Sequence, residues 1–151
     1  MKAVILAAGK STRTYPLTLD RPKALIKVAG KPIIQHQLGL LEGLADEVII
    51  VVGFRKDMIR QALGKEFQGI RLTYAEQDEQ LGTGHALLAA EPFIGNEPFL
   101  VMPGDDMFCR EDIGNLLEDT PSVLAQEVED PSSFGTWDEK DGFVSGFQEK
   151  P

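Results

Sequence analysis

The chain has 151 residues, about one domain's length, of which 42% are hydrophobic and 26% charged, as in an ordinary globular protein. Its apolar runs are shorter than the roughly 20 residues that cross a bilayer, and the stretch after Met1 is too short for a signal peptide. The net charge of −9 argues against binding to nucleic acid, and the single cysteine, Cys109, allows no internal disulfide and points to a cytoplasmic setting.

The first 117 residues alternate apolar strands with helical patterns, which is typical of a parallel, doubly wound α/β sheet. A long loop with one short strand near 25–28 is expected over residues 9–31, and Cys109 is expected to be a buried small hydrophobe. Strands are predicted at 3–8, 48–52, 70–74 and 98–102, and helices at 32–44, 56–63 and 83–90.

The pattern changes after Pro121. Residues 123–128, 134–137 and 143–147 read as strands in antiparallel succession, with Asp141-Gly142 as the turn between the last two. We therefore expect one domain over 1–151, a three-layer α/β fold with a mainly parallel sheet and antiparallel strands toward the C-terminus.

Residues 1–31 form a basic island, with seven Lys or Arg against Asp20 alone, a net +6 that leaves −15 for the remainder. Charge alone favours equally a local anionic ligand and a solvated surface with scattered lysines. Ligands of an open α/β sheet bind beyond the carboxyl ends of its strands, where residues 9–14 and 104–106 fall. Gly9-Lys10-Ser11-Thr12 is not a P-loop, because Val4 stands where that motif needs its first glycine.

The same loop carries longer motifs that resemble the signature of the sugar-1-phosphate nucleotidylyltransferases. These motifs are Leu6-Ala7-Ala8-Gly9-Lys10-Ser11-Thr12-Arg13, Tyr15-Pro16-Leu17-Thr18, Arg21-Pro22-Lys23-Ala24-Leu25 and Gly30-Lys31-Pro32. Further matches follow at 77–86, 104–105, 134–135 and 149–151, so the resemblance spans the whole chain. Ser11 departs from the family's usual glycine, and it would be strained if that position needs a positive φ.

The resemblance implies a nucleotide-diphospho-sugar transferase fold and transfer of a nucleoside monophosphate from UTP or dTTP to glucose-1-phosphate or N-acetylglucosamine-1-phosphate, with release of pyrophosphate. The attacking phosphate oxygen is already an anion at neutral pH, so no general base is needed. The obstacle is the meeting of two polyanions, which cations and backbone N–H groups relieve.

Matched position by position, the resemblance assigns Arg13 to the leaving phosphates, Lys23 to the α-phosphate and the sugar phosphate, and Asp105 to Mg²⁺. Read without the family, Asp105 or Asp106 could equally well cap a helix. The resemblance favours Asp106 for that role, because the family has its metal ligand directly after the glycine. His85 is expected to be structural. Nucleotide-binding roles are implied for Leu6, Ala7, Ala8, Gly9, Thr12, Gln77, Gln80, Gly82 and Thr83, and sugar-binding roles for Gly135, Glu149 and Lys150.

Family members continue beyond the Glu149-Lys150-Pro151 motif and add a further sugar-binding stretch and a second acidic metal ligand. We therefore expect the domain to be incomplete at its C-terminal end and its turnover to be weak or absent. The partners expected are a nucleoside triphosphate and a sugar-1-phosphate, with a homo-oligomer left open and neither nucleic acid nor membrane. Two alternatives are a non-catalytic nucleotide-binding module of the same fold and a cytidylyltransferase for a choline-like phosphate.

Overall fold

The computed structural model describes residues 1–119 and 121–149, with Glu149 by its backbone alone. Short 3-10 turns lie at Thr12–Thr14 and Lys23–Leu25. The strands are β1 (Lys2–Ala7), β2 (Lys27–Val28), β3 (Lys31–Pro32), β4 (Glu47–Val52), β5 (Glu66–Phe67), β6 (Ile70–Glu76), β7 (Phe99–Pro103), β8 (Gly135–Lys140) and β9 (Phe143–Glu149). The helices are α1 (Ile33–Leu40), α2 (Lys56–Leu63), α3 (Thr83–Ile94) and α4 (Arg110–Leu116).

The main sheet has the strand order β5-β6-β4-β1-β7. β6, β4, β1 and β7 run parallel, and only the two-residue strand β5 is antiparallel to its neighbour. From β1 the chain winds outward to β4 and β6, and then returns to add β7 on the other side of β1. The direction of winding therefore reverses between β1 and β7, which is the place where doubly wound sheets form their ligand crevices.

Helices cover both faces of this sheet. On one face Ile5 and Ile50 belong to a core with α1, α2 and α4, to which Leu38 contributes. On the other face Val4 and Ile49 belong to a second core with α3. Because both faces are buried, the central strands are apolar at successive positions, and every residue from 48 to 52 is fully buried. The predicted three-layer, mainly parallel α/β fold is confirmed.

Two helices end four residues away from their predicted ends. α1 ends at Leu40 rather than near 44. α3 continues to Ile94, past the predicted end at 90 and through Pro92. Ala86, Ala90 and Ile94 recur every four residues as one buried stripe against the sheet, so tertiary contact carries the helix beyond the residue expected to stop it.

The chain divides into two compact units, residues 1–120 and 121–151. In the second unit β8 and β9 form an antiparallel hairpin, joined at Asp141 and Gly142 with φ of 55° and 81° as that turn requires. The strand predicted at 123–128 is wrong, because those residues pair with no other strand in the described part of the chain. Val123, Leu124 and Val128 are exposed, so their apolar run reflects no buried strand.

No helix in the described ranges, 1–119 and 121–149, has both the length and the apolar character needed to cross a membrane.

Candidate functional site

A pocket of about 250 Å³ opens beside the carboxyl ends of β1 and β7. It collects side chains and backbone from four segments that are distant in sequence. Ten of the predicted site residues line it: Leu6, Ala7, Ala8, Gly9, Lys23, Gln77, Gln80, Gly82, Thr83 and Asp105. Ser11, Ala24, Ala86, Pro103 and Gly104 complete the lining.

Four other predicted site residues among those described are not in the lining of the pocket. Thr12 and Arg13 are exposed on the first 3-10 turn, outside the lining of the pocket. Gly135 begins β8 and pairs with Glu149 at the end of β9, in the second unit. Lys150 lies outside the described residues.

Gln80 holds the glycine-rich turn in place. Its Nε2 donates to the Ala8 carbonyl, and the Lys10 N–H donates to its Oε1 over 3.2 Å. The Ala8 carbonyl also accepts the N–H of Phe54 at 3.1 Å. Both ends of the Gln80 amide are therefore engaged by the turn that follows β1, which fixes the wall of the pocket.

Ser11 has a left-handed backbone, with φ 50° and ψ 48°. The position occupied by glycine in the family thus does need a positive φ, and Ser11 carries the strain expected of a side chain there. Its carbonyl accepts hydroxyl hydrogen bonds from Thr14 at 2.8 Å and from the buried Thr18 at 2.9 Å. These bonds explain what Thr18 does in its motif, a role that the sequence pattern did not reveal.

Lys23 and Asp105 form an ion pair in the pocket, with 2.8 Å between Nζ and Oδ2. Their side chains are 28% and 41% exposed, so both groups remain within reach of a ligand. Lys23 opens the second 3-10 turn, whereas Asp105 lies in the turn after β7. The pair joins two residues 82 positions apart and balances their charges.

The helix-cap interpretation of this acidic turn is wrong. α4 begins at Arg110, and its N-cap is Cys109 rather than Asp105 or Asp106. Cys109 is exposed there, so its prediction as a buried residue is wrong as well. Desolvation raises the pKa of the Asp106 carboxyl, and the neighbouring Asp105 carboxylate raises it further.

Gln37 stabilises the acidic turn by hydrogen bonds to its backbone, a role that was not predicted from the sequence. Its side chain is fully buried, and Nε2 donates to the carbonyls of Pro103 at 2.6 Å and Asp106 at 2.7 Å. The two carbonyls flank Gly104 and Asp105, so α1 holds the turn from both ends. A glutamine between Ile34 and Leu38 on the buried face of a helix was the available signal.

Gly104 brings the ends of β1 and β7 together. Its N–H donates to the Leu6 carbonyl at 2.8 Å. A Cβ at this position would lie 2.6 Å from that carbonyl oxygen and 2.9 Å from the Ala7 Cβ. Only glycine allows this approach without displacing one of the two strand ends.

Gln77 lines the pocket where β6 ends, and only 6% of its surface is exposed. Its Nε2 lies 3.1 Å from the Gly82 carbonyl oxygen and 3.0 Å from Nδ1 of His85. Gly82 caps α3 with a φ of 98°, which favours glycine. His85 stands in the first turn of α3, where its Nδ1 contacts Gln77.

Within the described residues, no cluster of three or more His, Cys, Asp or Glu side chains could hold a metal ion unaided. The carboxylate that the pocket offers is Asp105. Any metal ion in this pocket would therefore need oxygen ligands from a bound molecule and from water as well.

Comparison with known proteins identifies close relatives. A UTP–glucose-1-phosphate uridylyltransferase, AglF of Haloferax volcanii, is 40% identical over an alignment of 161 positions, which covers 100% of this chain and 65% of that protein. A bifunctional GlmU protein of Methanococcus maripaludis is 40% identical over 135 residues, 89% of this chain and 32% of that protein. The chain thus spans less than two thirds of the length of either relative.

A solved structure from Bacillus anthracis, described as a glucose-1-phosphate thymidylyltransferase in complex with a sucrose, has the same fold. It superposes with a TM-score of 0.87 at 31% identity, over 100% of this chain and 65% of that one. The family model described as nucleotidyl transferase matches residues 2–151. The resemblance inferred from the motifs is confirmed, and the chain belongs to the nucleotidyl transferase family.

Proposed function

We propose that this chain is the nucleotide-binding part of a sugar-1-phosphate nucleotidylyltransferase. The reaction transfers a nucleoside monophosphate from UTP or dTTP to glucose-1-phosphate or N-acetylglucosamine-1-phosphate and releases pyrophosphate. The observation that carries the proposal is the pocket at the reversal of the sheet, where Lys23, Asp105, the turn after β1 and Gln77 meet.

The reaction asks for charge compensation more than for proton transfer. A phosphate monoester oxygen attacks the α-phosphorus in line, and the bond to the leaving pyrophosphate breaks. The attacking oxygen is an anion at neutral pH, and no base is required of the protein. Lys23 supports the proposal as a cation inside the pocket, and Arg13 stands on the adjacent turn as an exposed cation for the leaving phosphates.

The acidic turn fits a magnesium ion. Asp105 supplies one accessible carboxylate, and Mg²⁺ at nucleotide sites takes one or two carboxylates together with phosphate oxygens and water. Bound there, the ion would neutralise charge on the phosphates. Gln37 and Gly104 would hold the turn that carries Asp105.

The part of the pocket lining contributed by residues 77–83 suits a pyrimidine. Gln77 and Gly82 offer side-chain and backbone polar groups for the N3–H and O4 edge of uracil or thymine. Gln80 and Thr83 line the same pocket. The sugar-binding roles of Gly135, Glu149 and Lys150 and the cytoplasmic setting stay predictions.

Calorimetry of the 151-residue chain with UTP, dTTP, CTP, ATP and GTP, each with and without Mg²⁺, tests the nucleotide assignment. We expect UTP and dTTP to bind more tightly than the purine nucleotides, and Mg²⁺ to strengthen their binding. A Gln77→Ala variant should weaken UTP binding roughly 5- to 150-fold, the effect of losing a paired, buried hydrogen bond. Equal affinities for ATP and UTP would contradict the base assignment.

Two charge variants test the roles of the ion pair. Lys23→Met should weaken UTP binding roughly 10- to 150-fold, since a charge-assisted hydrogen bond is lost. Lys65→Met makes the same change on an exposed loop and should leave binding unchanged. Asp105→Asn should remove the gain from Mg²⁺, whereas Asp57→Asn, at an exposed residue of α2, should keep it.

Pyrophosphate release distinguishes an enzyme from a non-catalytic binding module. The assay pairs each nucleotide with glucose-1-phosphate or N-acetylglucosamine-1-phosphate, and with a choline-like phosphate for the cytidylyltransferase alternative. We expect slow release that depends on UTP or dTTP and on a sugar-1-phosphate. Tight UTP binding without release from any pair would favour the binding module.

A further inference from the structure

We propose that His85 is a positioning residue that sets the orientation of the Gln77 amide, and that this orientation selects uracil or thymine against cytosine. The inference rests on the proposed function, because it concerns the base of the same nucleotide. It begins from two contacts, those of Gln77 Nε2 with the Gly82 carbonyl oxygen at 3.1 Å and with His85 Nδ1 at 3.0 Å.

The Gly82 contact fixes which end of the amide faces α3. A backbone carbonyl oxygen can only accept a hydrogen bond, so the amide group 3.1 Å from it must be the NH₂. The reverse orientation would bring two oxygens together at that distance. One hydrogen of Nε2 is thereby assigned to Gly82.

The second hydrogen of Nε2 then points to His85. A neutral imidazole has one nitrogen that donates and one that accepts, and Nδ1 must be the acceptor here. The ring proton of His85 therefore resides on Nε2. Reversing the Gln77 amide would cost the hydrogen bond to Gly82, and it would place Oε1 against the Nδ1 lone pair unless the ring proton of His85 moved to that nitrogen.

The remaining polar atom of the amide is Oε1, which no described donor engages. Within the described ranges, the one buried side-chain polar atom without a hydrogen-bond partner is Gln37 Oε1. Gln77 Oε1 also has no partner but is not among the buried atoms, so it is accessible to solvent. Gln77 lines the pocket, so on this proposal Oε1 is the fixed acceptor that it offers to a bound base.

A fixed acceptor distinguishes the two kinds of pyrimidine. Uracil and thymine carry a hydrogen on N3 and can donate it to Oε1. Cytosine has a lone pair at N3, so it would face Oε1 with a second acceptor unless the amide reversed. His85 opposes that reversal, and the base is therefore read by Gln77 in an orientation that His85 helps to set.

Two variants of the 151-residue chain separate this role from general support. His85→Leu fills a similar volume but offers no acceptor to Gln77. His85→Asn places an oxygen on the same carbon that carries Nδ1 in histidine, so it can accept from Nε2. The measurement is the calorimetric affinity of wild type and both variants for UTP and CTP, and the decisive quantity is their ratio.

We expect the leucine variant to narrow the preference for UTP over CTP by up to about 10-fold, the upper limit for one neutral hydrogen bond. The asparagine variant should restore most of the preference. Equal weakening of UTP and CTP in the leucine variant, with their ratio unchanged, would overturn the inference. A wild type that binds UTP and CTP alike would instead contradict the pyrimidine assignment of the proposed function.

Nitrogen-15 NMR of the free chain checks the tautomer without any nucleotide. The chain has two histidines, His36 and His85, so the signals lost in His85→Asn assign the ring. We expect neutral His85 to carry its proton on Nε2. A proton on Nδ1 would place a donor against the Gln77 NH₂ and overturn the inference.

Discussion

Replacement of Gly104 by alanine should lower both the stability of the fold and its affinity for UTP. The new methyl group would lie 2.6 Å from the Leu6 carbonyl oxygen, about 0.8 Å closer than the 3.4 Å at which ordinary contact begins. The nearby Ala7 Cβ, at 2.9 Å, closes off the other direction. Neither obstacle is the end of a flexible side chain, so one of the two strand ends has to move.

The magnitude follows from how such crowding is relieved. Overpacking of a well-packed interior costs about 1–3 kcal/mol, and a domain of this size loses about 2–4 °C of Tm per kcal/mol. We therefore expect Gly104→Ala to melt about 2–12 °C below wild type. A displacement of several tenths of an ångström also reaches Asp105, the next residue, so magnesium-dependent UTP binding should weaken as well.

Gly114→Ala provides the matched control in thermal unfolding and UTP calorimetry. Gly114 lies inside α4, and a Cβ built there has nothing within 4 Å. Alanine favours the helix by about 0.5–1 kcal/mol over glycine, so this variant should melt slightly above wild type and bind UTP normally. If Gly104→Ala also melted at or above the wild-type temperature and bound UTP normally, the close approach of β1 and β7 would not be what requires glycine.

Three further changes test other contacts. Gln37→Leu should lower the free energy of unfolding by about 1–3 kcal/mol in urea titrations. The carbonyls of Pro103 and Asp106 lose their donor, while removal of the buried, unpartnered Gln37 Oε1 offsets part of that loss; stability equal to wild type would contradict this. Ser11→Gly should raise that free energy by up to about 1 kcal/mol by relieving the left-handed strain, whereas Ser11→Ala should not; equal effects would count against strain. The hydrogen bond from Lys56, and to a smaller extent the one from Arg60, lowers the pKa of the Glu76 carboxyl. The stabilisation from these bonds is therefore present above the ordinary carboxyl pKa and is lost as the pH falls through the lowered value. Glu76→Gln should thus lower Tm at pH 7 but leave it unchanged once both forms are neutral in acid, and a deficit that persisted there would refute the pairing.

The main sheet could be predicted from the sequence because each of its elements has a recognisable local pattern of apolar residues. Residues 48–52 form an apolar run buried on both faces, and α2 begins and ends where its pattern indicated. The apolar residues at 123–128 give an equally local signal, yet they form no strand. A strand needs a partner, and no local pattern records whether one is present.

Residues of the candidate site could be predicted where they belong to a sequence motif. Residues whose role depends on tertiary contacts could not be predicted. Lys23, Asp105 and Gln77 stand in recognisable motifs, and the pocket gathers them. Gln37 has no motif, because its importance comes from two carbonyls 66 and 69 residues away. The orientation of the Gln77 amide likewise depends on contacts that only three-dimensional structure supplies.

Because Lys23 and Asp105 form an ion pair, an anion and a cation would bind to this site more favourably together than either would alone. An ammonium that already contacts a carboxylate at 2.8 Å cannot turn wholly to a phosphate without leaving that carboxylate beside an arriving anion. A cation that takes over Asp105 removes this penalty and frees Lys23 at the same time. Anion and cation should thus each strengthen the binding of the other by the same factor, as linkage requires. The pocket would then discriminate against a bare polyanion and against a bare metal ion, and accept the two together.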